Sequence, residues 1–99
     1  MIYLRFEAMP SQEVAERDGV AGAFVNCWVP TQDFTEAEAY ARRWIHDQGW
    51  TTVVLEEARL IPPDHPSSGP DAEHIREARE HGGSMALHRW FAGGERSAG

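Results

Sequence analysis

The stretch from Thr35 to Trp50 constrains the fold more than any other part of this chain, because it specifies one helix and the approach to a strand. Thr35 and Glu38 have the spacing of a capping box, which satisfies backbone N–H groups at a helix start. Apolar residues then recur at helical spacing, at Ala37, Tyr40, Ala41, Trp44 and Ile45. Gly49 stands where a left-handed residue ends a helix. The β-branched run 51–55 predicts a strand, so this helix is expected to pack on a sheet.

The remaining patterns predict three more strands and one more helix. Strands are predicted from alternating or β-branched residues at 2–7, 23–29, 51–61 and 85–91. A second helix is predicted at 71–81, closed by Gly82 and Gly83. Residues 11–14 can start one helical turn, and a loop is the alternative there. The prolines and glycines of 62–70 predict a connector.

The resulting element order, β-β-α-β-α-β, predicts an α+β fold arranged as a two-layer sandwich. The first two strands are expected to pair antiparallel, and the second and third to run parallel through a right-handed crossover. Alternation of apolar and polar residues indicates a sheet covered on one face. We therefore expect a four-stranded mixed sheet with two helices packed on one face. Residues 1–92 are predicted to form a single domain and residues 93–99 a frayed tail.

Charge and cysteine content restrict the class of partner. The formal net charge is −7. The nine Lys and Arg residues are all arginines, and they are not clustered into a basic stripe. Nucleic acid and anionic membranes are therefore poor partners. The absence of lysine is typical of a GC-rich bacterial genome. The single cysteine, Cys27, excludes an intramolecular disulfide and a multi-cysteine zinc site. The first residues alternate as a strand does, unlike a signal peptide, so we expect a cytoplasmic protein.

The second helix carries the residues most similar to a metal site. His74, Glu77 and His81 fall within about 60° of one another around a helix, and His88 follows. Two imidazoles and a carboxylate can bind a first-row metal ion. Their spacing differs from the H-E-x-x-H of metalloproteases, and a solvated helix face explains the same residues. Cys27 lies among apolar residues of its strand and is expected to be an inert core thiol. We predict no cofactor.

The face of the sheet turned away from the helices is the most suggestive surface. If Ile2, Leu4 and Phe6 face the helices, the opposite face of the first two strands carries Tyr3, Arg5, Glu7, Phe24, Asn26 and Trp28. The last strand adds either His88 and Trp90 or Arg89 and Phe91. Aromatic side chains mixed with hydrogen-bonding groups are typical of subunit interfaces and small-ligand grooves.

These patterns predict a small, non-enzymatic interaction or accessory module that forms a homodimer through this face. The predicted dimer or binding residues are Tyr3, Arg5, Phe24, Asn26, Trp28 and Trp90. A protein or small-molecule partner is the alternative occupant of the same face. The alternative function is a metal-dependent enzyme or metal-binding protein built on His74, Glu77 and His81. The two functions differ in whether the protein requires a bound metal.

Overall fold

The computed structural model describes residues 1–62, 69 and 71–91, and in these the chain alternates between strands and helices. The elements are β1 (Ile2–Pro10), α1 (Gln12–Asp18), β2 (Val20–Val29), α2 (Phe34–Asp47), β3 (Trp50–Leu60), α3 (Ala72–His81) and β4 (Ser84–Phe91). All four predicted strands and both predicted helices are present. Most of the predicted connector at 62–70, and the tail at 93–99, lie outside the described residues.

The four strands form one antiparallel sheet in the order β3-β1-β2-β4. The predicted antiparallel pairing of β1 with β2 is confirmed, with Ile2 opposite Val29 and Ala8 opposite Ala23. β2 and β3 do share a direction, because both run antiparallel to β1. However, β1 lies between them, as in a split βαβ unit. The prediction of a mixed sheet is therefore wrong for the described strands.

Helices cover both faces of the sheet, so the prediction of two helices on a single face is wrong. On the first face, here called the α2 face, α1 and α2 bury Val14, Ala37, Ala41 and Ile45 against the strands. On the opposite face, the α3 face, α3 packs Ile75 and Ala78 against Tyr3 and Trp28. The physical reason is that β1 and β2 carry large aromatic residues on this second face, and these need a cover of their own.

The structure has one helix more than the two predicted, namely α1. It lies in the segment for which the sequence allowed either a helical turn or a loop. The Ser11 hydroxyl accepts a hydrogen bond from the Val14 N–H at 3.2 Å, which caps the first turn. Gly19 ends the helix with a φ of +71°, in the left-handed region. Val14 is the buried residue of α1 and anchors this short helix to the core.

α2 differs from the prediction in its cap and in the position of its buried line. Asp33 is the N-cap, and its carboxylate accepts from the Glu36 N–H at 3.2 Å, so Thr35 lies inside the first turn. Three small or aliphatic residues of the predicted stripe are buried, namely Ala37, Ala41 and Ile45. The other two, Tyr40 and Trp44, flank the core, and Tyr40 is 42% exposed. Gly49 has the predicted left-handed conformation, with a φ of +88°.

We predict that Ile45→Ala lowers the free energy of unfolding by about 2–5 kcal/mol, because its fully buried side chain would leave a cavity between α2 and the sheet. The matched control is Arg43→Ala on the exposed side of the same helix, which should change stability by less than about 0.5 kcal/mol. Urea denaturation followed by circular dichroism measures both. Equal effects of the two changes would contradict the placement of α2.

Candidate interaction surface

Strand register arranges the side chains of the α3 face in rows that cross the sheet. The first three rows are Arg59–Tyr3–Trp28–Ser84, Glu57–Arg5–Asn26–Ala86 and Val54–Glu7–Phe24–His88, and beyond them lie Met9, Thr51, Gly22 and Trp90. All six residues of the predicted face therefore lie on one side of the sheet. Of the two possibilities for the last strand, His88 and Trp90 share this face, because His88 pairs with Phe24.

The first row is covered by α3, which the sequence did not predict. The His74 imidazole stacks on the Trp28 indole, with ring centroids 4.4 Å apart and planes within 5°. Tyr3 contacts the same indole at 5.4 Å between centroids. Tyr3 is 8% exposed and Trp28 4% exposed. These two residues of the predicted interface are therefore buried within the chain, and they can contact a partner only if α3 moves.

Ser84 links α3 to the start of β4 by two hydrogen bonds. Its hydroxyl donates to Glu77 Oε1 at 3.1 Å, and its oxygen lies 3.0 Å from His74 Nδ1. A hydroxyl has one proton to donate, so this geometry makes the His74 Nδ1–H the donor to Ser84. In a serine nucleophile the histidine accepts the serine proton instead. The cluster therefore links α3 to the start of β4.

The three residues proposed for a metal do not share one site. His74 and Glu77 converge on Ser84, whereas His81 lies at the end of α3 and lines a cavity beside Trp44. His88 lies in the third row of the α3 face. Within residues 1–62, 69 and 71–91, no group of three His, Cys, Asp or Glu side chains is placed to hold a metal ion.

Beyond the row that α3 covers, the same face carries a surface that we call the open half, formed by Arg5, Glu7, Phe24, His88 and Trp90. The Phe24 and Trp90 rings lie 5.1 Å apart, and the Arg5 guanidinium lies 4.5 Å from the Phe24 centroid. The Trp90 indole lies across the backbone of Gly22, where a Cβ would come within 2.3 Å of the ring. A shallow cavity of about 580 Å³ lies against Glu7, Phe24, His88 and Trp90.

The polar groups in and beside the open half differ in how well they are paired. Asn26 accepts a hydrogen bond from the Tyr3 hydroxyl at 2.8 Å, and Arg5 lies 3.5 Å from a carboxylate oxygen of Glu56. Glu7 makes no hydrogen bond or ion pair with any described residue, although it lies at the centre of this surface. His88, which lies beyond Phe24 in the same row, is exposed. The open half therefore combines aromatic area with an unpaired acid and an exposed imidazole.

Cys27 lies on the α2 face and is fully buried. Burial raises the pKa of its thiol to about 12, because the apolar core disfavours the thiolate. A thiol in this state is not a nucleophile near neutral pH. The expectation of a buried cysteine within the core is confirmed by its position.

Comparison with known proteins does not identify the chain. It matches no family model, and no significant match is found among curated proteins or solved structures. In the part of the chain that the structure describes, no helix is both long enough and apolar enough to span a membrane.

The Ser84 cluster predicts that Ser84→Ala loosens α3 selectively. The change removes the partner of Glu77 and His74, which we expect to cost about 1–2 kcal/mol. Hydrogen exchange should therefore become faster at α3 amides while α2 amides keep their protection. Glu80→Gln, at an exposed position of the same helix, is the control. Unchanged α3 exchange in Ser84→Ala would contradict a structural role for the cluster.

The buried thiol predicts a loss of stability in alkali. The folded pKa of Cys27 is about 12 and its usual value is 9.0, so above pH 9 the unfolded chain loses a proton that the folded chain keeps. The free energy of unfolding should therefore fall by on the order of 1 kcal/mol between pH 8 and pH 10. Cys27→Ala removes this contribution. Denaturant titrations at pH 8 and pH 10 measure the free energy of unfolding of wild type and variant. An equal change in this free energy for both proteins would contradict the prediction.

Proposed function

We propose that this protein is a non-enzymatic interaction module that forms a homodimer by pairing the open halves of two sheets. The observation that carries the proposal is that α3 covers one half of the α3 face, whereas no helix among residues 1–62, 69 and 71–91 covers the other half. The β1 and β3 side of the same half carries two further large apolar residues, Met9 and Val54, which are 45% and 44% exposed. Exposed apolar clusters of this kind favour a contact with a partner.

The size of the open half supports a weak and reversible dimer. Four strands span about 19 Å, and five residues along a strand span about 17 Å, which gives roughly 300 Å² of projected surface per copy. Two copies would therefore bury roughly 600 Å² of projected area. Contacts at the rim must add to this for the dimer to approach the lower limit of about 1,200 Å² for specific interfaces. We therefore expect a concentration-dependent equilibrium between monomer and dimer.

Two-fold symmetry also suits the charges of this surface. In a symmetric dimer, a residue of one copy contacts a different residue of the other, and the contact is made twice. Glu7 on β1 and His88 on β4 lie on opposite sides of Phe24. A two-fold axis that passes near Phe24 and runs parallel to the strands would bring the unpaired Glu7 of each copy toward the His88 side of its partner. This arrangement would favour one orientation of the dimer.

The same evidence supports the non-enzymatic class over the metal-dependent alternative. The side chains of His74 and Glu77 are engaged with Ser84, and His81 lies apart from them. The buried thiol of Cys27 offers no accessible nucleophile. A single cysteine in the reduced state is compatible with the cytoplasm, which we propose as the compartment.

We predict that Phe24→Glu abolishes self-association, because it introduces a second acid beside Glu7 at the centre of the paired surfaces. The matched control is Phe34→Glu, which adds the same charge at an exposed aromatic residue of α2. Sedimentation velocity from about 5 to 500 μM should show dimers for wild type and Phe34→Glu, and monomers for Phe24→Glu. A wild type that stays monomeric at the highest concentration would refute the proposal.

Trp28→Glu distinguishes the open half from the covered row. Trp28 packs under α3, so a charge at this position should detach α3 from the sheet and lower the free energy of unfolding. A well-folded monomer is not expected. Circular dichroism and thermal unfolding give the readout. A stable, fully helical monomer would instead place Trp28 in the interface and contradict its packing within the chain.

A further inference from the structure

Two near-parallel aromatic side chains line a groove on the α2 side of the molecule, away from the open half. Tyr40 and Trp44 lie one helical turn apart on α2, with ring centroids 6.4 Å apart and planes within 16°. One cavity, of about 420 Å³, extends toward Glu36, and another, of about 350 Å³, extends toward Asp47. Trp44 and Gly82 line both cavities. We call this surface the aromatic groove, formed by Glu36, Tyr40, Trp44, Asp47, Gly82 and Gly83.

The turn between α3 and β4 forms the other wall and fixes the Trp44 ring. A Cβ at Gly83 would lie 2.2 Å from the indole, so the ring rests directly against the backbone there. Trp44 also packs against the core. Tyr40, in contrast, is 42% exposed although it stacks on Trp44. The groove therefore presents aromatic surface that is held in place before any ligand arrives, which lowers the entropic cost of binding.

The electrostatic character of the aromatic groove is negative. The Glu36 carboxylate is oriented by the Thr31 hydroxyl, which donates to it at 2.8 Å. Asp47, at the other end, makes no hydrogen bond or ion pair with any described residue. The C-terminal end of α3 meets the groove at Gly82, and the last carbonyl groups of a helix carry a partial negative charge. Among the residues lining the two cavities, the only basic side chain is that of His81.

We propose that the aromatic groove binds a basic, extended segment of a partner protein, with one arginine or lysine side chain on each side of Trp44. Cations are attracted to the faces of tryptophan and tyrosine, most strongly where water is partly excluded. The carboxylates at the two ends supply the opposite charge. The net charge of −7 would add long-range attraction for a basic partner.

The helix geometry sets the spacing of the two cations. Glu36 and Asp47 are eleven residues apart on α2, which corresponds to about 16 Å along the helix axis. In an extended segment, side chains four residues apart point to the same side and are separated by about 13 Å. The flexible side chains cover the remaining distance. We therefore expect basic residues at positions i and i+4 of the segment to bind best.

The test uses a seven-residue peptide with arginine at its second and sixth positions and glycine or serine elsewhere. Nuclear magnetic resonance titration of the ¹⁵N-labelled protein reports its affinity and its location. The Trp44 indole N–H and the Gly82 and Gly83 amides should shift. A peptide with citrulline in place of both arginines keeps the shape without the charge and should bind at least ten-fold more weakly. A peptide with arginines only two positions apart should bind about three-fold more weakly, or weaker still.

Variants of the protein distinguish binding in the aromatic groove from a general attraction by the net charge. Glu36→Gln with Asp47→Asn should weaken binding at least ten-fold, and Tyr40→Leu should weaken it about three-fold by removing a ring face. The control is Glu56→Gln with Glu57→Gln, which removes the same charge from β3, at the opposite edge of the sheet from β4. This control should change affinity by less than two-fold.

Four results would overturn the proposal. The first is no measurable binding of the arginine peptide at 5 mM in low salt, and the second is equal binding of the citrulline peptide. The third is a β3 control that loses as much affinity as the groove variant, because net charge alone would then explain the attraction. The fourth is a set of shifts confined to the open half, or Trp44 shifts that depend on protein concentration without peptide, which would assign the groove to a second copy.

Discussion

The register of β1 is the constraint on which the rest of this structure depends. β1 lies between β2 and β3, so one alternation along nine residues sets both faces of the sheet. Ile2, Leu4, Phe6 and Ala8 enter the core under α2, and Tyr3, Arg5, Glu7 and Met9 turn to the α3 face. A shift by one residue would exchange these two sets and would place Arg5 and Glu7 in the core. The buried set is uniformly apolar, which makes that exchange very unfavourable.

The second set is not uniform, and this explains why the α3 face is divided. Tyr3 on β1 is paired with Trp28 on β2, and together they offer enough apolar area to hold Ile75 and Ala78 of α3. One row further along the sheet, the corresponding positions are Arg5 and Asn26, which give no comparable apolar contact. α3 therefore packs at one end of the face, and no helix in the described part of the chain covers Phe24 and Trp90 at the other. The polar row of Arg5 and Asn26 separates the covered row from the open half.

Sequence patterns could predict the elements here much better than their arrangement. The periodicity of α2, the strands and the glycine after α3 mark the elements because each signal is local in the chain. The strand order was not predictable, because no local sequence pattern in β3 indicates that β1 lies between β3 and β2. α1 was left open because a seven-residue helix with one buried residue has little periodicity to detect.

The candidate surfaces show the same limit. The pattern of alternation correctly brings Phe24 and Trp90 to one face, but it cannot show that His74 stacks on Trp28, because that contact joins residues distant in sequence. Similarly, the predicted apolar stripe of α2 contains Tyr40 and Trp44, yet helical spacing does not show how wide the buried line is. The small residues Ala37 and Ala41 bring α2 close to the sheet, and the larger rings are consequently placed at its side. Gly22 becomes informative only once β2 is known to begin at Val20, since a glycine inside a strand often marks a close approach by another group.

The position of α3 connects the two surfaces physically. Its His74 covers Trp28 at the border of the open half, and the turn that follows it supplies Gly82 and Gly83 to the aromatic groove. Its own anchorage is modest, with Ile75 and Ala78 buried and a hydrogen-bonded link through Ser84. Segments with few buried contacts open more readily than the core. Opening of α3 would enlarge the exposed sheet face and at the same time remove one wall of the groove. A ligand that needs that wall would therefore hold α3 in place, so occupancy of the groove and access to Trp28 are expected to oppose each other.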